Sequence, residues 1–307
     1  MINLKNILIT GAKGFVGSNL TEFLSIKTDK YKLFTPSHKE LELLDMNSVK
    51  NYIEKNKINI VIHGANVGGG RKFVIENALD KNLRMFFNIV NCIDELEKII
   101  LLGTGAEYNK ATMPPKVTEE DFGKVIPLDE YGFSKFVMSK YIEKSNKIVS
   151  LRLFGVYGKY EDYEFKFISN AILKNLLKMP IDIMQNVYFD YLNIDDCVKV
   201  IEWFIENKGE HNFYNLSTGK TIDLVSIVNI INKISSFKSE IRIKNSGLNN
   251  EYSADNLRLC EQIVGLKFKS YEEGIEQLYH YYENIFDNID KEVIINDPYA
   301  AKCDVKK

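Results

Sequence analysis

The 307-residue chain lacks several features that would assign it at once to a common class of protein. Its four cysteines, Cys92, Cys197, Cys260 and Cys303, are scattered without a CxxC pair, which leaves no basis for a disulfide framework or a cysteine-bound metal. No apolar run approaches the roughly 18 residues that a membrane span needs. No cationic leader precedes the first strand, and the formal net charge of -2 gives no reason to expect nucleic acid. We therefore expect a reduced, cytoplasmic protein without metal, membrane or nucleic-acid partners.

Apolar runs typical of buried strands alternate with amphipathic runs typical of helices. Lys5–Thr10 is a short apolar strand, and Phe15–Ile26 then places Val16, Leu20 and Leu24 on one helical face. The alternation continues through the first half of the chain. Near-continuous apolar strands separated by helices predict a parallel sheet that is covered by helices on both faces.

A glycine-rich turn joins the first strand to the first helix. Gly11 permits the tight turn, Gly14 lets the backbone approach a pyrophosphate, and Gly17 lets helix and strand pack closely. The N-terminus of the helix adds free N–H groups and a partial positive charge. The turn therefore predicts a dinucleotide site, whose expected contacts are Gly11, Lys13, Gly14, Phe15, Val16 and Gly17.

These features predict an α/β protein with a Rossmann doubly wound parallel sheet and a smaller C-terminal α/β substrate lobe. The dinucleotide-binding domain is expected over residues 1–160, with later segments crossing back to it at about 187–215. The substrate lobe is expected over 161–290. Residues 291–307 carry no periodic signal and are expected to form a loose tail.

The residues after the second strand bear on the choice of dinucleotide. An NAD enzyme usually has a carboxylate there for the adenosine ribose, but this strand runs into Ser37, His38 and Lys39 before Glu40. With Lys13 in the turn, these side chains could bind a 2′-phosphate. NADP(H) is therefore favoured over NAD(H), although the same residues would also suit an ordinary solvated loop.

A Tyr131–Lys135 pair with YxxxK spacing follows in the middle of the chain. Positions i and i+4 share one helical face, so the hydroxyl and the ammonium can point into one cleft. A free phenol with a pKa near ~10 is a poor acid or base at neutral pH, and a nearby cation would bring it into range. Thr104 ends the fourth strand, where ligands bind in α/β proteins. We expect Thr104, Tyr131 and Lys135 to be catalytic.

Taken together, these motifs resemble the extended short-chain dehydrogenase/reductase family over residues 5 to about 285. The GxxGxxG spacing, the Thr104 position and the YxxxK pair carry the resemblance. It implies that Lys135 also holds the nicotinamide ribose. It further implies cofactor contacts from Asp45, from Ala65 and Asn66 after the third strand, and from the helix residue Asn82.

The resemblance also implies where the substrate binds. The stretch Val67–Gly68 resembles the GDP-fucose synthase subgroup, and segments 152–158 and 189–196 resemble RxxNxYGP and RDFxxVDD of nucleotide-sugar enzymes. Phe189 replaces the arginine that often binds the nucleotide diphosphate, which leaves Arg152, Lys220 or Arg258 for that task. The expected substrate contacts are Val67, Gly68, Glu107, Arg152, Phe154, Phe189 and Arg258.

Two departures from the family narrow the reaction. Gly105 and Ala106 replace the Asp-Glu pair of a 4,6-dehydratase, so neither can serve as acid or base for eliminating water. Ala106 also replaces the cysteine used for C3/C5 epimerisation, and no histidine lies between Tyr157 and Ser169. The chain is therefore predicted to be an NADPH-dependent C4 reductase of a nucleotide-activated 4-keto-deoxy sugar, as in deoxysugar biosynthesis for cell-surface polysaccharides.

Two other functions stay open. One is an NAD-dependent nucleotide-sugar 4-epimerase, and the other is a non-catalytic NADP-binding protein. The sequence does not identify the nucleotide, which is GDP, CDP, dTDP or UDP. Family resemblance alone implies a homodimer through the YxxxK helix, with Phe136, Val137, Met138 and Tyr141 available on it.

Overall fold

Short apolar runs form the strands of this protein, and amphipathic runs form its helices. The computed structural model describes residues 4–69 and 76–306. The strands are β1 (Lys5–Thr10), β2 (Tyr31–Phe34), β3 (Ile60–His63), β4 (Lys98–Thr104), β5 (Ile148–Leu153), β6 (Gly155–Tyr157), β7 (Ile181–Asn186), β8 (Tyr188–Phe189), β9 (Tyr191–Asn193), β10 (Phe213–Leu216), β11 (Ile222–Asp223) and β12 (Ile241–Leu248).

The helices alternate with these strands. They are α1 (Phe15–Ser25), α2 (Met46–Asn56), α3 (Ala78–Val90), α4 (Glu130–Ile142), α5 (Phe167–Leu176), α6 (Ile194–Glu206), α7 (Leu224–Ile234), α8 (Leu257–Gln262), α9 (Tyr271–Ile285), α10 (Lys291–Asn296) and α11 (Pro298–Ala301). Among these helices, none is long and apolar enough to cross a membrane.

Six parallel strands form the main sheet in the order β10-β5-β4-β3-β1-β2. Side chains alternate between its faces: Ile7 and Ile9 pack towards α1 and α6, and Leu8 packs towards α2, α3 and α4. Both faces are therefore buried, which explains the continuous apolar strands. The predicted doubly wound parallel fold is confirmed.

The strand order reverses next to β1, because β2 lies on one side of it and β3 on the other. In open α/β sheets, ligands bind beyond the carboxyl ends of the strands at such a reversal. Thr10 ends β1 and His63 ends β3, and the two residues are paired in the sheet. The glycine turn that follows Thr10 thus begins at the crevice where a dinucleotide is expected.

A second hydrophobic core fills the C-terminal part around α5, α7 and α9, with the parallel pair β7 and β12 beside them. The chain returns to the first core in between, since α6 packs against α1 and β10 pairs with β5 at the edge of the main sheet.

Residues 291–306 do not form the loose tail that was expected. They include α10 and α11, whose Ile294 is fully buried and whose Tyr299 ring lies 5.9 Å from that of Phe167. Lys174 pairs with Asp297 at 2.6 Å. Helices of six and four residues are too short to show a helical period in the sequence, and this is why the prediction was wrong.

Candidate active site

The glycine turn has the close backbone approach that only glycine allows. Gly11 has a φ of +71°, and a Cβ there would lie 2.8 Å from the Ala65 nitrogen and from the Gly64 carbonyl carbon. A Cβ at Gly17 would overlap the Gly11 carbonyl oxygen. The Gly14 amide donates to that same oxygen at 2.9 Å, which closes the turn. The backbone is thus held tightly against the end of β3.

The N-terminus of α1 is available for an anion. Its cap residue is Gly14, and no described side chain hydrogen-bonds there. Neighbouring helices differ: Asp45 caps α2, Asp129 caps α4, and Glu130 accepts the Ala78 amide at the start of α3 at 2.9 Å. The first N–H groups of α1, in Phe15, Val16 and Gly17, therefore lack a side-chain acceptor, as a pyrophosphate site requires. These residues fit a dinucleotide.

The expected basic residues after β2 lie near one carboxylate. Ser37 donates to Glu40 Oε2 from both its amide and its hydroxyl, each at 2.8 Å. These bonds, and to a smaller extent Lys13, lower the pKa of Glu40. Lys13, His38 and Lys39 are exposed. The loop after β2 thus carries His38 and Lys39 together with an ionised Glu40, which Lys13 of the glycine turn also influences.

The stretch after β3 is fixed by buried polar contacts. The Ala65 amide donates to Thr10 Oγ1 at 3.2 Å, and the Thr10 hydroxyl hydrogen-bonds with His63 Nδ1 at 2.8 Å. Burial, with Lys135 adding to it, lowers the pKa of His63 to about 3, so the imidazole is neutral. Asn66 donates to the Gly68 carbonyl at 3.2 Å and is exposed.

Asn82, which was expected to contact the cofactor, uses its side-chain amide on the loop after β3. Its side chain is 1% exposed. The amide accepts the Val67 N–H at 2.8 Å and donates to the Val67 carbonyl at 2.9 Å and to Ser134 at 3.3 Å. Because both ends of the amide are used, Asn82 positions the Val67–Gly69 loop against α4. Asp45, another expected cofactor contact, accepts the Asn47 and Ser48 amides of α2 with its Oδ1.

The three predicted catalytic residues meet at the carboxyl end of β4. Thr104 ends that strand, and Tyr131 and Lys135 project from α4. Lys135 is 1% exposed, and its ammonium donates to the Leu102 carbonyl at 3.1 Å. Gly69 lies against the Tyr131 ring, because a Cβ there would be 2.8 Å from two ring carbons. Val67 and Gly68 belong to this loop, and a Cβ at Gly68 would approach Tyr131 Cβ at 3.9 Å.

The charge states of this set differ from those expected. Burial raises the pKa of Tyr131 to about 12, a hydrogen bond with Thr104 opposes the rise, and Glu107 and Asp129 add to it. Burial lowers the pKa of Lys135 to about 8, against the opposing effect of Glu107. Tyr131 is therefore a phenol at neutral pH. The expected lowering of its pKa by Lys135 is wrong for the protein alone, since burial dominates.

Glu107 and Arg152 were expected to bind substrate, but they bind each other. Both side chains are 0% exposed, and Arg152 Nε lies 2.8 Å from Glu107 Oε2. Glu107 also accepts the Ser139 hydroxyl at 2.6 Å and the Thr104 amide at 3.2 Å. The guanidinium carbon of Arg152 lies 4.4 Å from the ring centres of both Phe122 and Phe213, which enclose it. This buried pair cannot reach a diphosphate.

Arg258 was also expected to bind substrate, but its partners lie on other elements. It donates to the Phe213 carbonyl at 3.2 Å and pairs with Glu120. Phe213 begins β10, so Arg258 lies towards the amino ends of the strands, whereas Thr104 lies at the carboxyl ends. Family resemblance placed Arg258 in the substrate pocket, but its local partners hold it elsewhere.

Phe154 and Phe189 do lie together, and both surround a residue that sequence analysis missed. The Tyr252 ring centre is 5.0 Å from that of Phe154 and 5.9 Å from that of Phe189. Burial raises the pKa of its hydroxyl, and the nearby Thr104 opposes that rise. Tyr252 belongs to no motif, and no sequence signal would have connected it to Thr104. Among the described residues, no cluster of His, Cys, Asp and Glu side chains is arranged to bind a metal.

A Rossmann sheet with an uncapped glycine turn, and with a Thr–Tyr–Lys set beside it, defines a nicotinamide-dependent short-chain dehydrogenase/reductase. The chain belongs to the NAD dependent epimerase/dehydratase family, whose model matches residues 7–217. The family predicted from the motifs is confirmed.

Relatives in this family act on different sugars. The chain is 25% identical over 260 residues to the ADP-L-glycero-D-manno-heptose-6-epimerase of Brachyspira hyodysenteriae, covering 74% of this chain and 80% of that protein. It is 26% identical over 259 residues to the GDP-L-colitose synthase of Yersinia pseudotuberculosis, covering 76% and 82%. The fold matches the GDP-mannoheptose C4 reductase of Campylobacter jejuni, solved with NADP bound, with a TM-score of 0.77, 20% identity and coverage of 92% and 99%.

Proposed function

We propose that this protein is an NADPH-dependent reductase of the C4 ketone of a nucleotide-activated 4-keto-deoxy sugar, without C3/C5 epimerisation. The observation that carries the proposal is the meeting of Thr104, Tyr131 and Lys135 at the carboxyl end of β4. Burial raises the pKa of Tyr131 to about 12, so its phenol keeps its proton at neutral pH. Reduction of a ketone consumes a proton, and a phenol that stays protonated at neutral pH is suited to supply it.

Each residue of the set has one task in this reaction. The Thr104 hydroxyl donates a hydrogen bond to the sugar carbonyl oxygen and stabilises the charge that develops there. Tyr131 gives its proton to that oxygen. Lys135 binds the nicotinamide ribose through its ammonium. NADPH, when bound at the glycine turn, supplies the hydride for the carbonyl carbon.

The side chains around Thr104 support reduction alone. Gly105 and Ala106 carry no titratable group, and no Cβ fits at Gly105, because it would lie 2.6 Å from a Phe154 ring carbon and from the Tyr252 hydroxyl. A base that removes a proton next to the ketone is thus missing at these two positions. The names of both relatives refer to nucleotide-linked sugars, which supports a nucleotide sugar as substrate.

We further propose that NADP(H) is the preferred cofactor. Lys13 in the glycine turn and His38 and Lys39 after β2 are exposed, and the two ammonium groups would pair with a 2′-phosphate. Glu40 opposes this preference through its own charge. Replacement of Lys13 by Ala is expected to raise KM for NADPH about tenfold and to leave KM for NADH within twofold. Steady-state kinetics with both cofactors measure this, and an equal change in the two KM values would contradict an NADP site.

The function itself is tested by the loss of NADPH absorbance with 4-keto-6-deoxy sugars linked to GDP, CDP, dTDP or UDP. We expect net oxidation of NADPH with one of these substrates and a C4 alcohol as product by NMR. Tyr131→Phe is expected to lower kcat by at least a hundredfold, because it removes the proton donor. Inversion of C4 in a nucleotide hexose, without net oxidation of NADPH, would instead identify a 4-epimerase and overturn the proposal.

A further inference from the structure

The carboxylate of Glu107 joins the two elements that carry the catalytic residues. Its Oε1 accepts the Thr104 amide at 3.2 Å, at the end of β4. Its Oε2 accepts the Ser139 hydroxyl of α4 at 2.6 Å. Tyr131, Lys135 and Ser139 follow one another along α4 at intervals of four residues, so they share one face of the helix. Glu107 therefore holds the row of side chains that carries the phenol and the ammonium.

The carboxylate is itself fixed from the side of β5. Its Oε2 lies 2.8 Å from Arg152 Nε, and both side chains are 0% exposed. Arg152 Nη1 donates to the Tyr108 hydroxyl at 2.8 Å, and the guanidinium carbon lies 4.4 Å from the ring centres of Phe122 and Phe213. Because Arg152 cannot move without disturbing these rings, the carboxylate beside it is held in one position.

Glu107 also places a negative charge near Lys135. Burial lowers the pKa of Lys135 to about 8, and Glu107 opposes that fall. His63 of β3 faces Lys135 as well, but burial lowers its pKa to about 3 and leaves the imidazole neutral. Tyr131, on the same helix, is an uncharged phenol at neutral pH. Among the described residues, the Glu107 carboxylate is therefore the charge that favours the Lys135 ammonium.

We propose that Glu107 is a positioning residue of the catalytic set. It holds the Thr104 end of β4 against the helix that carries Tyr131 and Lys135, and its charge keeps the Lys135 ammonium available for the nicotinamide ribose. Glu107 acts through these three residues and touches neither substrate nor cofactor, because its side chain is fully buried.

This inference rests on the proposed function for the tasks of the three catalytic residues, but its first test needs no sugar. The fluorescence of NADPH, titrated with the full chain from about pH 6 to about pH 10, gives the affinity for the cofactor at each pH. We expect the wild-type affinity to fall above about pH 8, where Lys135 loses its proton. In Glu107→Gln, the same fall is expected about one pH unit lower, because the charge that favours the ammonium is gone. Failure of the reductase assay leaves this measurement unaffected, so the two proposals fail separately.

Ser139→Ala tests the link to α4 without removing the charge. The variant keeps the bonds of Glu107 to Thr104 and Arg152, and it leaves no buried charge unpaired. We expect kcat to fall about fivefold in whichever turnover is detected, either NADPH oxidation or C4 inversion, as the loss of one hydrogen bond would cause. KM for the sugar is expected to stay within twofold of wild type, and the pH at which NADPH binding weakens is expected to stay unchanged.

Ser150→Ala is the matched control. Ser150 lies on β5 and is also 0% exposed, but its hydroxyl has no hydrogen-bond partner among the described residues. The variant is expected to retain the kcat and the pH dependence of wild type.

Thermal melting shows which variants are folded, and if Glu107→Gln is not, Ser139→Ala decides alone. The proposal is overturned if folded Ser139→Ala keeps kcat within twofold of wild type. It is also overturned if NADPH binding by folded Glu107→Gln weakens at the same pH as that of wild type.

Discussion

At the scale of single residues, burial sets the charge of Lys135. Its pKa is lowered to about 8, and the pKa of Tyr131 is raised to about 12. The lysine therefore loses its proton first as pH rises. We expect kcat to fall above about pH 8 because the ammonium that binds the ribose is lost, while the Tyr131 phenol is still present. A pH–rate profile from about pH 6 to pH 10 measures this.

Lys135→Arg is the control for that profile, since a guanidinium stays charged over the whole range. The variant is expected to be slower, because arginine does not fit the lysine position, but its rate should not fall near pH 8. A fall at the same pH in wild type and variant would assign the titration to another group.

At this scale the sequence predicted Thr104, Tyr131 and Lys135, because spacing along one helix and the end of one strand place them together. It did not predict Tyr252, which comes from a distant segment. It also assigned Arg152 to the substrate. A charge in a motif does not reveal its partner, and here Glu107 was the partner.

At the scale of elements, Glu107 connects β4, α4 and β5. Its carboxylate bonds with the Thr104 amide, the Ser139 hydroxyl and the Arg152 guanidinium. Glu107→Gln would leave the buried Arg152 charge unpaired, and we expect it to lower the free energy of unfolding by about 3–5 kcal/mol. Urea denaturation measures the loss.

The exposed Lys140–Glu143 pair at the C-terminal end of α4 provides the comparison, and its Nζ and Oε1 atoms are also 2.8 Å apart. Glu143→Gln is expected to change the free energy of unfolding by less than about 1 kcal/mol, because water screens this pair. Equal losses in the two variants would mean that burial adds nothing to the Glu107 pair.

Most elements of the first half were predictable because each carries a clear period of two or 3.6 residues. Their ends were less so. α3, for example, ends at Val90, where Asn91 and the turns after it follow, although apolar residues continue as far as Leu96. Of the α4 side chains that a homodimer would use, Phe136 and Met138 are buried in this chain's own core, and Tyr141 is 42% exposed. Amphipathicity alone does not distinguish a core from an interface.

At the scale of the whole molecule, a cavity of about 400 Å³ lies between the glycine turn and α9, and its lining includes Lys13 and Ser18 on one side and Tyr281 and Tyr282 on the other. Glu161 lines it and is 4% exposed. Ser169 donates to Oε1, whereas Oε2 has no hydrogen-bond partner among the described residues. Burial raises the pKa of this carboxyl to about 7, and the Ser169 hydrogen bond opposes the rise.

Because the folded pKa of Glu161 exceeds its unfolded value of 4.5, its protonation favours the folded state below pH 4.5. This contribution amounts to about 3 kcal/mol below pH 4.5 and is lost as the pH rises through 7, so that none of it remains at pH 8. We expect Glu161→Gln to melt at a higher temperature than wild type at about pH 8, with the difference vanishing near pH 5. Glu276→Gln, at an exposed position on α9, should have the melting temperature of wild type at both pH values. A gain that does not depend on pH would exclude titration of Glu161 as its cause.

The phenol that occupies the space beside Gly105 also restricts how this protein can change. A side chain at position 105, such as the Asp of a dehydratase, would require both Phe154 and Tyr252 to move, because a Phe154 ring carbon and the Tyr252 hydroxyl would each lie 2.6 Å from its Cβ. The order of substitutions therefore matters: room must be made at positions 154 and 252 before position 105 can be enlarged. Shortening Tyr252 alone would leave the Phe154 ring in the way.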